Sequence, residues 1–195
     1  MNEDPIGSIV MIVGVVLAIF VMIAIARAVR IVPQSEAYVV ERLGRFRSVL
    51  HGGIHLLVPF VDRVAARIDL REQVVNFPSQ SVITADQAMV EIDSVIYFQI
   101  TDPRSATYEV ANFLQAIEQL TATTLRNLIG SLDLEETQTS RESINKQLRG
   151  VLDEATGPWG IRVTRVELKS IEPPPNVLSA MVQQITAERT KRATI

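Results

Sequence analysis

The first strong feature of the hydrophobic pattern is an unbroken apolar run at residues 6–26, which contains no charged side chain. About 20 apolar residues, rising about 1.5 Å each in a helix, cover the roughly 30 Å hydrocarbon core of a bilayer. Because the run has no polar side to turn towards water, it does not fit a surface helix of a soluble domain. The pattern predicts one transmembrane helix at the start of the chain.

Two other interpretations of this run are weaker. A cleaved signal peptide would have a basic start and a shorter apolar core, whereas here Glu3 and Asp4 precede a long one, although Ala24-Ile25-Ala26 imitates a cleavage site. A buried core helix is disfavoured by the length of the run. The flanking charges, acidic before the run and Arg27 and Arg30 after it, predict an external N-terminus and a cytoplasmic remainder.

Beyond the anchor, apolar and polar residues alternate with a period of two in several segments, which is typical of strands with one buried face. The clearest segment is 88–100, in which Val90, Ile92, Ile96, Phe98 and Ile100 share one face. The other predicted strands are residues 36–42, 64–70, 74–77, 81–84 and 161–171. In the last of these the alternation slips after Val163, which predicts a β-bulge.

Between residues 112 and 157 the period changes to that of amphipathic helices. Asn112 is a candidate cap for a first helix that ends at Gly130. Residues 139–142 fit a capping box for a second helix, which Gly157 and Pro158 end. Because strands come first and helices later, with one more strand at the end, we predict an α+β domain with an antiparallel sheet.

The C-terminal segment has a different character. Residues 172–175 predict a stiff polyproline spacer, and Asn176 then caps a last helix whose apolar stripe is thin. Such a helix needs a partner to be stable. Met181 and Ile185 are therefore the candidate oligomer-interface residues.

Charge and composition narrow the possible functions. The sequence has no cysteine, which excludes disulfides and thiolate metal sites, and its net charge of −3 gives no footprint for nucleic acid. Residues 27–71 nevertheless carry eight arginines against four acidic residues. This basic block follows the anchor directly, where it either attracts anionic lipids or simply solvates a surface.

The segment 51–62 contains a short apolar run after Gly52 and Gly53. Taken alone, this run fits either a buried strand or loop of the core or a segment that dips into the lipid headgroups. Its candidate membrane-contact residues are Leu56, Leu57 and Phe60.

Several blocks of the chain, taken in order, resemble the SPFH or Band 7 family, which includes stomatin, prohibitin, flotillin and HflK-HflC, and within it the bacterial stomatin-like branch. The blocks are VPQSEAYVVERLGRF, GGIHLLVPFVDRV, IDLREQVVNFPSQSVITAD, YFQITDP, TTLRNLIG, PWGIRVTRVELKSIEPPPNVLSAM and AERTKRATI. The resemblance implies a transmembrane anchor at residues 1–30, an SPFH domain at 31–172, and a spacer with the start of an oligomerising coiled-coil helix at 173–195.

The resemblance also implies a function. Members of the family are membrane-anchored scaffolds that assemble into rings or cages, organise membrane microdomains and regulate neighbouring membrane proteins, including FtsH-type proteases and NfeD-type partners. It favours membrane contact for Leu56, Leu57 and Phe60. Relatives continue the coiled coil beyond Ile195, so this chain is shortened, or shows only its ordered part, or is a naturally short member, and in the last case ring assembly is in doubt.

A search of the sequence for catalytic chemistry gives little. His51 and His55 have a spacing that could bind a metal on a helix, but Gly52 and Gly53 disfavour a helix there. Lys169 and Ser170 are neighbours in a predicted strand and point to opposite faces, so they make a poor catalytic dyad. We therefore predict a self-assembling scaffold that is not an enzyme and has no cofactor or metal. The alternatives are a monomeric, membrane-anchored lipid or ligand sensor and, less favoured, a membrane-bound hydrolase.

Overall fold

A computed structural model describes the backbone of residues 5–172 and the side chains of residues 11–169. The described chain divides into two compact units, with the boundary between Arg71 and Glu72. The antiparallel α+β fold predicted from the pattern is confirmed.

The first unit begins with helix α1 (Pro5–Ala28) and continues with five strands. The strands are β1 (Val29–Val32), β2 (Glu36–Arg42), β3 (Arg45–Leu50), β4 (Gly53–Leu56) and β5 (Asp62–Asp69). β1 and β4 form a two-stranded antiparallel ribbon, and the other three form an antiparallel sheet in the order β3-β2-β5. The middle strand β2 supplies much of this unit's small core through Ala37, Tyr38, Val39 and Val40.

The second unit is built on a three-stranded sheet in the order β6-β7-β8, covered by helices. Its strands are β6 (Gln73–Ile83), β7 (Met89–Ile100) and β8 (Ile161–Glu172). Its helices are α2 (Pro103–Tyr108), α3 (Phe113–Ile129), α4 (Leu134–Thr139) and α5 (Arg141–Thr156), followed by a 3-10 turn, Gly157–Trp159.

The predicted face of β7 is the centre of this second core. All five predicted apolar residues are at most 3% exposed, as is Ser94 between them. Across the core lie buried side chains of α3 and α5, among them Ile117, Leu125, Leu148 and Leu152. An alternating strand therefore packs against helices that each present one apolar stripe, as the periodicities require.

Local signals explain several boundaries. The Asn112 side chain accepts a hydrogen bond from the Gln115 backbone N–H at 3.2 Å, which confirms the predicted cap of α3. The register between β7 and β8 shifts between Tyr97 and Phe98, where Thr164 is skipped, so the predicted bulge is also confirmed.

Two local predictions are wrong. Residues 74–77 and 81–83 belong to one strand, β6, and Thr84 lies just after it. As an edge strand, β6 absorbs Pro78 at an irregularity between Phe77 and Gln80. The capping box at residues 139–142 is not formed, since Thr139 ends α4 and Ser140 caps α5 without a side-chain hydrogen bond.

Candidate membrane-contact site

The ribbon that follows α1 carries an apolar face on the protein surface. In its register Val29 lies opposite Leu56, and Ile31 lies opposite Ile54. Directly opposed residues of an antiparallel pair share a face, and residues two apart on one strand do as well. All four side chains are exposed, by 42% for Val29 and by 72–77% for the other three. Exposed apolar surface of this kind marks a contact with a membrane or with another protein.

The loop between β4 and β5, residues 57–61, returns to the side of α1. The Leu57 backbone N–H donates to the Ala28 carbonyl at 2.8 Å, and this bond ties the loop to the end of the helix. The Phe60 ring then stacks on the Phe20 ring, with centroids 6.1 Å apart and an interplanar angle of 7°. Phe20 lies seven residues before Arg27, which is about 10 Å along a helix axis. Phe60 therefore lies beside the apolar part of α1 and not beyond its end.

Phe60 has a left-handed backbone, with φ of 70°. A left-handed φ is uncommon for a bulky side chain and costs free energy, so it persists only where the surroundings impose it. Two hydrogen bonds to the Val58 carbonyl impose it here, one from the Val61 N–H at 3.3 Å and one from the Asp62 N–H at 2.9 Å. The loop is thus a tight turn that presents Phe60 outward.

Asp62 organises the base of this loop. The β2–β5 register places it opposite Arg42, whose guanidinium donates two bonds to its carboxylate at 2.7 and 3.0 Å. Arg47 adds a bond at 2.5 Å, and the Val58 N–H adds one at 2.8 Å. Burial alone would raise the pKa of Asp62, but the hydrogen bonds from Arg42 and Val58 and the charge of Arg42 outweigh it and lower that pKa. Asp62 stays ionised and closes the loop onto the sheet.

The β2–β3 hairpin ends beside the same loop. Its two turn residues, Leu43 and Gly44, both have positive φ, which is the geometry of a type I′ hairpin. The Leu43 N–H donates to the Val61 carbonyl at 3.3 Å, and the Leu43 side chain is 81% exposed. Leu43 therefore adds a further exposed apolar side chain next to the loop.

The structure separates the three residues predicted to contact the membrane. Leu56 and Phe60 are each 77% exposed, whereas Leu57 is only 7% exposed and is covered by the protein. Membrane contact itself stays a prediction for these residues. Met181 and Ile185, predicted for the oligomer interface, lie outside the described residues.

Sequence reasoning missed Val29, Ile31, Ile54 and Leu43. For Val29, Ile31 and Ile54 the alternating pattern was too short to indicate a strand, because β1 and β4 have only four residues each. An alternating pattern of that length is not distinguishable from a loop, and the exposed face appears only when two strands distant in sequence pair.

The two histidines lie close together, His51 just before β4 and His55 within it. The His55 Nε2 lies 2.6 Å from the His51 carbonyl oxygen, so that ring atom is engaged by the backbone. Among the residues that the structure describes, no group of three or more His, Cys, Asp or Glu side chains is placed to hold a metal ion.

The described chain has an α+β fold, and α1 is long and apolar enough, by length and composition, to cross a bilayer. A family model described as SPFH domain / Band 7 family matches residues 30–195. The chain belongs to this family of membrane-associated scaffold proteins.

Relatives support the same assignment. The chain is 57% identical over 180 residues to an uncharacterized protein of Mycobacterium tuberculosis, a match that covers 92% of this chain and 47% of that protein. It is 40% identical over 180 residues to a stomatin homolog of Pyrococcus horikoshii, covering 92% of this chain and 67% of the relative. It is 43% identical over 164 residues to the mitochondrial stomatin-like protein 2 of Bos taurus, covering 84% and 46%. The chain thus spans about half the length of the mycobacterial relative.

Proposed function

We propose that this protein is a self-assembling, membrane-anchored scaffold that is not an enzyme, and that its first unit contacts the bilayer at Leu56 and Phe60 in addition to the helix α1. The stacking of Phe60 on Phe20 is the observation that carries the membrane contact. If α1 spans the bilayer, a ring packed against Phe20 lies within or at the edge of the hydrocarbon. Burial of a large aromatic side chain in an apolar medium is favourable by about 2 kcal/mol, which would add to the anchoring.

The ribbon face of Val29, Ile31, Ile54 and Leu56 would extend this contact into the interface region. Because both strands of the ribbon have backbone groups that need hydrogen bonds, the ribbon belongs at headgroup level, where water is present, and not in the hydrocarbon. Lateral contacts between neighbouring subunits would then convert weak individual affinities into a stable assembly by effective concentration. Met181 and Ile185 are the proposed start of the oligomer interface. The proposed role is to organise membrane microdomains.

Depth-dependent fluorescence tests the membrane contact. A single tryptophan would be placed at residue 60 in a background in which Trp159 is replaced by phenylalanine, and the protein would be reconstituted with lipids brominated in their acyl chains. We expect strong quenching for Phe60→Trp. The control is Arg71→Trp, two residues beyond the far end of β5, a strand that spans about 23 Å from Asp62 to Asp69 by strand rise. Equal quenching at the two positions, or none at residue 60, contradicts the proposal.

Light scattering after size exclusion in mild detergent tests the self-assembly. The natural full-length protein should give one narrow particle containing many subunits. A monomer at all accessible concentrations would contradict the scaffold proposal.

The proposed orientation has the N-terminus outside and the domain in the cytoplasm, supported by Arg27 and Arg30 directly after the apolar run. Since the sequence has no cysteine, a membrane-impermeant maleimide would report on any single introduced thiol. In intact cells we expect labelling of Asn2→Cys and none of Val151→Cys. The reverse result would invert the topology.

The proposed partners are membrane lipids and a client membrane protein, either an FtsH-type protease or an NfeD-type protein. The family resemblance is the only support for these two clients. Crosslinking in native membranes, followed by identification of the captured protein, tests them against unrelated membrane proteins of similar abundance.

A further inference from the structure

A cleft of about 490 Å³ opens between the end of α1 and strand β5. Four arginines line it: Arg27 and Arg30 from the α1–β1 segment, and Arg63 and Arg67 from β5. Its other walls are mostly small or apolar residues of the 57–61 loop and of β5, together with Asp62.

A second cleft of about 480 Å³ adjoins the first and shares Arg27, Arg30, Pro59 and Asp62 with it. It continues past Ala26 and Val29 to Phe60. The combined space therefore has cationic walls in both clefts, and Ala26, Val29 and Phe60 add an apolar wall beside α1. This is the polarity of a phospholipid, with a charged headgroup above a hydrocarbon chain.

Within the described part of the chain, no carboxylate neutralises the arginines of the cleft. Among the described side chains, Arg27, Arg30, Arg63 and Arg67 make no ion pair within 4.0 Å. Arg67 does lie over the Tyr38 ring, with its guanidinium carbon 5.2 Å from the centroid. Such a contact orients the guanidinium and leaves its positive charge in place.

The single carboxylate in the lining is already engaged. Asp62 accepts from Arg42, Arg47 and the Val58 N–H, and its side chain is 0% exposed. Glu41 lies opposite Arg63 in the β2–β5 register but is not part of the cleft wall. The cleft therefore keeps an excess of positive charge.

The height of the cleft matches the headgroup layer. Arg27 is the first charged residue after the apolar run, and Phe60, at the bottom of the second cleft, stacks on a residue inside that run. Guanidinium groups bind phosphate with paired hydrogen bonds, and each basic residue near an anionic leaflet contributes about 1 kcal/mol.

We propose that this arginine cleft binds the phosphate group of an anionic phospholipid from the adjoining leaflet, with one acyl chain running beside α1 towards Phe60. This inference rests on the membrane contact proposed above. Such binding makes the first unit selective for anionic phospholipids, whereas insertion of α1 alone does not distinguish one lipid headgroup from another.

The test measures lipid retention by the full chain in detergent, using native mass spectrometry with dioctanoyl phosphatidylglycerol and dioctanoyl phosphatidylcholine. We expect a clear preference for the anionic lipid. The double variant Arg63→Gln/Arg67→Gln should bind phosphatidylglycerol about thirtyfold more weakly, because about 1 kcal/mol is lost at each of the two positions. These two positions are preferred to Arg27 and Arg30, which also bear on membrane orientation.

The matched control is Arg45→Gln/Arg71→Gln, which removes the same charge from the same unit outside the cleft wall. We expect this variant to lose no more than about twofold in affinity, since neither arginine lines the cleft and no contact to the bound lipid is removed. Equal losses of affinity for phosphatidylglycerol in both double variants would overturn the inference, because they would show that the positive charge of the unit attracts the lipid without a defined site. So would equal binding of the two lipids by the unmodified protein.

Inorganic phosphate distinguishes the source of the anion. It should compete weakly, because it cannot use the apolar part of the cleft; displacement of the lipid by millimolar phosphate would overturn the assignment to a lipid. The Arg63/Arg67 variant should keep its unfolding midpoint, its particle mass and the quenching of a tryptophan at residue 60. Loss of selectivity with those three intact separates a failure at the cleft from a failure of the proposed scaffold.

Discussion

In residues 72–169 most large apolar side chains of the sheet and its covering helices are buried, whereas in residues 11–71 many remain on the surface. The second unit has a layer of helices to cover its sheet, and β7 can bury a complete face. Among the described residues of the first unit, no helix covers the ribbon or the sheet as α3 and α5 cover the second sheet, and Ile31, Ile54, Leu56 and Phe60 are exposed. The difference indicates that the second unit is stabilised mainly by its own core, while the first depends on surroundings that its own residues do not provide.

The largest expected effect comes from the core of the second unit. Leu148 is fully buried on α5, and Leu148→Ala should lower the free energy of unfolding by about 2–5 kcal/mol through lost burial and a cavity. Val151 on the same helix is 43% exposed, and Val151→Ala should cost less than about 1 kcal/mol. Thermal unfolding of the full chain in detergent measures both. Similar losses in the two variants would contradict the view that this unit is held together by its core.

The next largest change in the free energy of unfolding is expected at a glycine of the second unit with a left-handed backbone. Gly160 has φ of 69°, and a Cβ there would lie 2.5 Å from the Asp102 carbonyl oxygen. Gly160→Ala should therefore destabilise the protein by about 1–3 kcal/mol. Gly150, inside α5, has no neighbouring heavy atom within 4 Å of the added Cβ, so Gly150→Ala should stabilise by about 0.5–1 kcal/mol. Chemical denaturation should show that the two variants change the free energy of unfolding in opposite directions. Two changes in the same direction would contradict this account.

The stability of the first unit should depend on pH through the ionisation of Asp62. Because the pKa of Asp62 is lowered in the folded state, its stabilising contribution is present above the unfolded value of about 3.9 and is lost as pH falls through the folded pKa. Asp62→Asn should therefore lower the unfolding midpoint near neutral pH and converge with the unmodified protein in acid.

Asp69 provides the matched control for that pH series. Hydrogen bonds from the Arg71 side chain and backbone, with the charge of Arg71, lower the pKa of Asp69 to about 2 in spite of partial burial. The Arg71 side chain is 73% exposed, so Asp69→Asn should change the midpoint less than Asp62→Asn. A difference between the Asp62 variant and the unmodified protein that stays constant with pH would exclude titration of Asp62 as its cause.

The smallest expected effect is at the Leu43 hairpin. Leucine at φ of 50° is strained, whereas asparagine adopts this region readily, so Leu43→Asn should raise the free energy of unfolding by up to about 1 kcal/mol. Vesicle binding should fall at the same time if the exposed Leu43 side chain touches lipid. Ser48→Asn, on the same hairpin but within β3, is the control and should not be stabilising.

Much of the second unit was predictable because its signals are local. The alternation in β7, the Asn112 cap and the slip after Val163 each depend on residues close in sequence. The prediction was wrong where a tertiary setting overrode the local signal. Pro78 was interpreted as a strand break, but an edge strand has room for it, since an edge has backbone positions that need no ladder hydrogen bond.

The candidate site was only partly predictable. The basic block and the apolar run at residues 56–61 are visible in the sequence, and both became parts of the site. The hydrophobicity of the run does not distinguish Leu56 from Leu57, although one is 77% and the other 7% exposed. That distinction follows because Leu56 ends β4 on the exposed face of the ribbon, whereas Leu57 lies just beyond β4 and its N–H bonds to the Ala28 carbonyl.

The sequence alone determined the membrane helix, the class of the fold and the family, because hydropathy, periodicity and ordered motifs are properties of neighbouring residues. Tertiary structure decided which arginines pair with a carboxylate among the described residues and where Phe60 lies. Arg42 and Asp62 are 20 residues apart, and Phe20 and Phe60 are separated by four strands of the first unit. Strand pairing brings together side chains that are remote in the chain, so the cleft and the loop that presents Phe60 exist only once the first unit has folded.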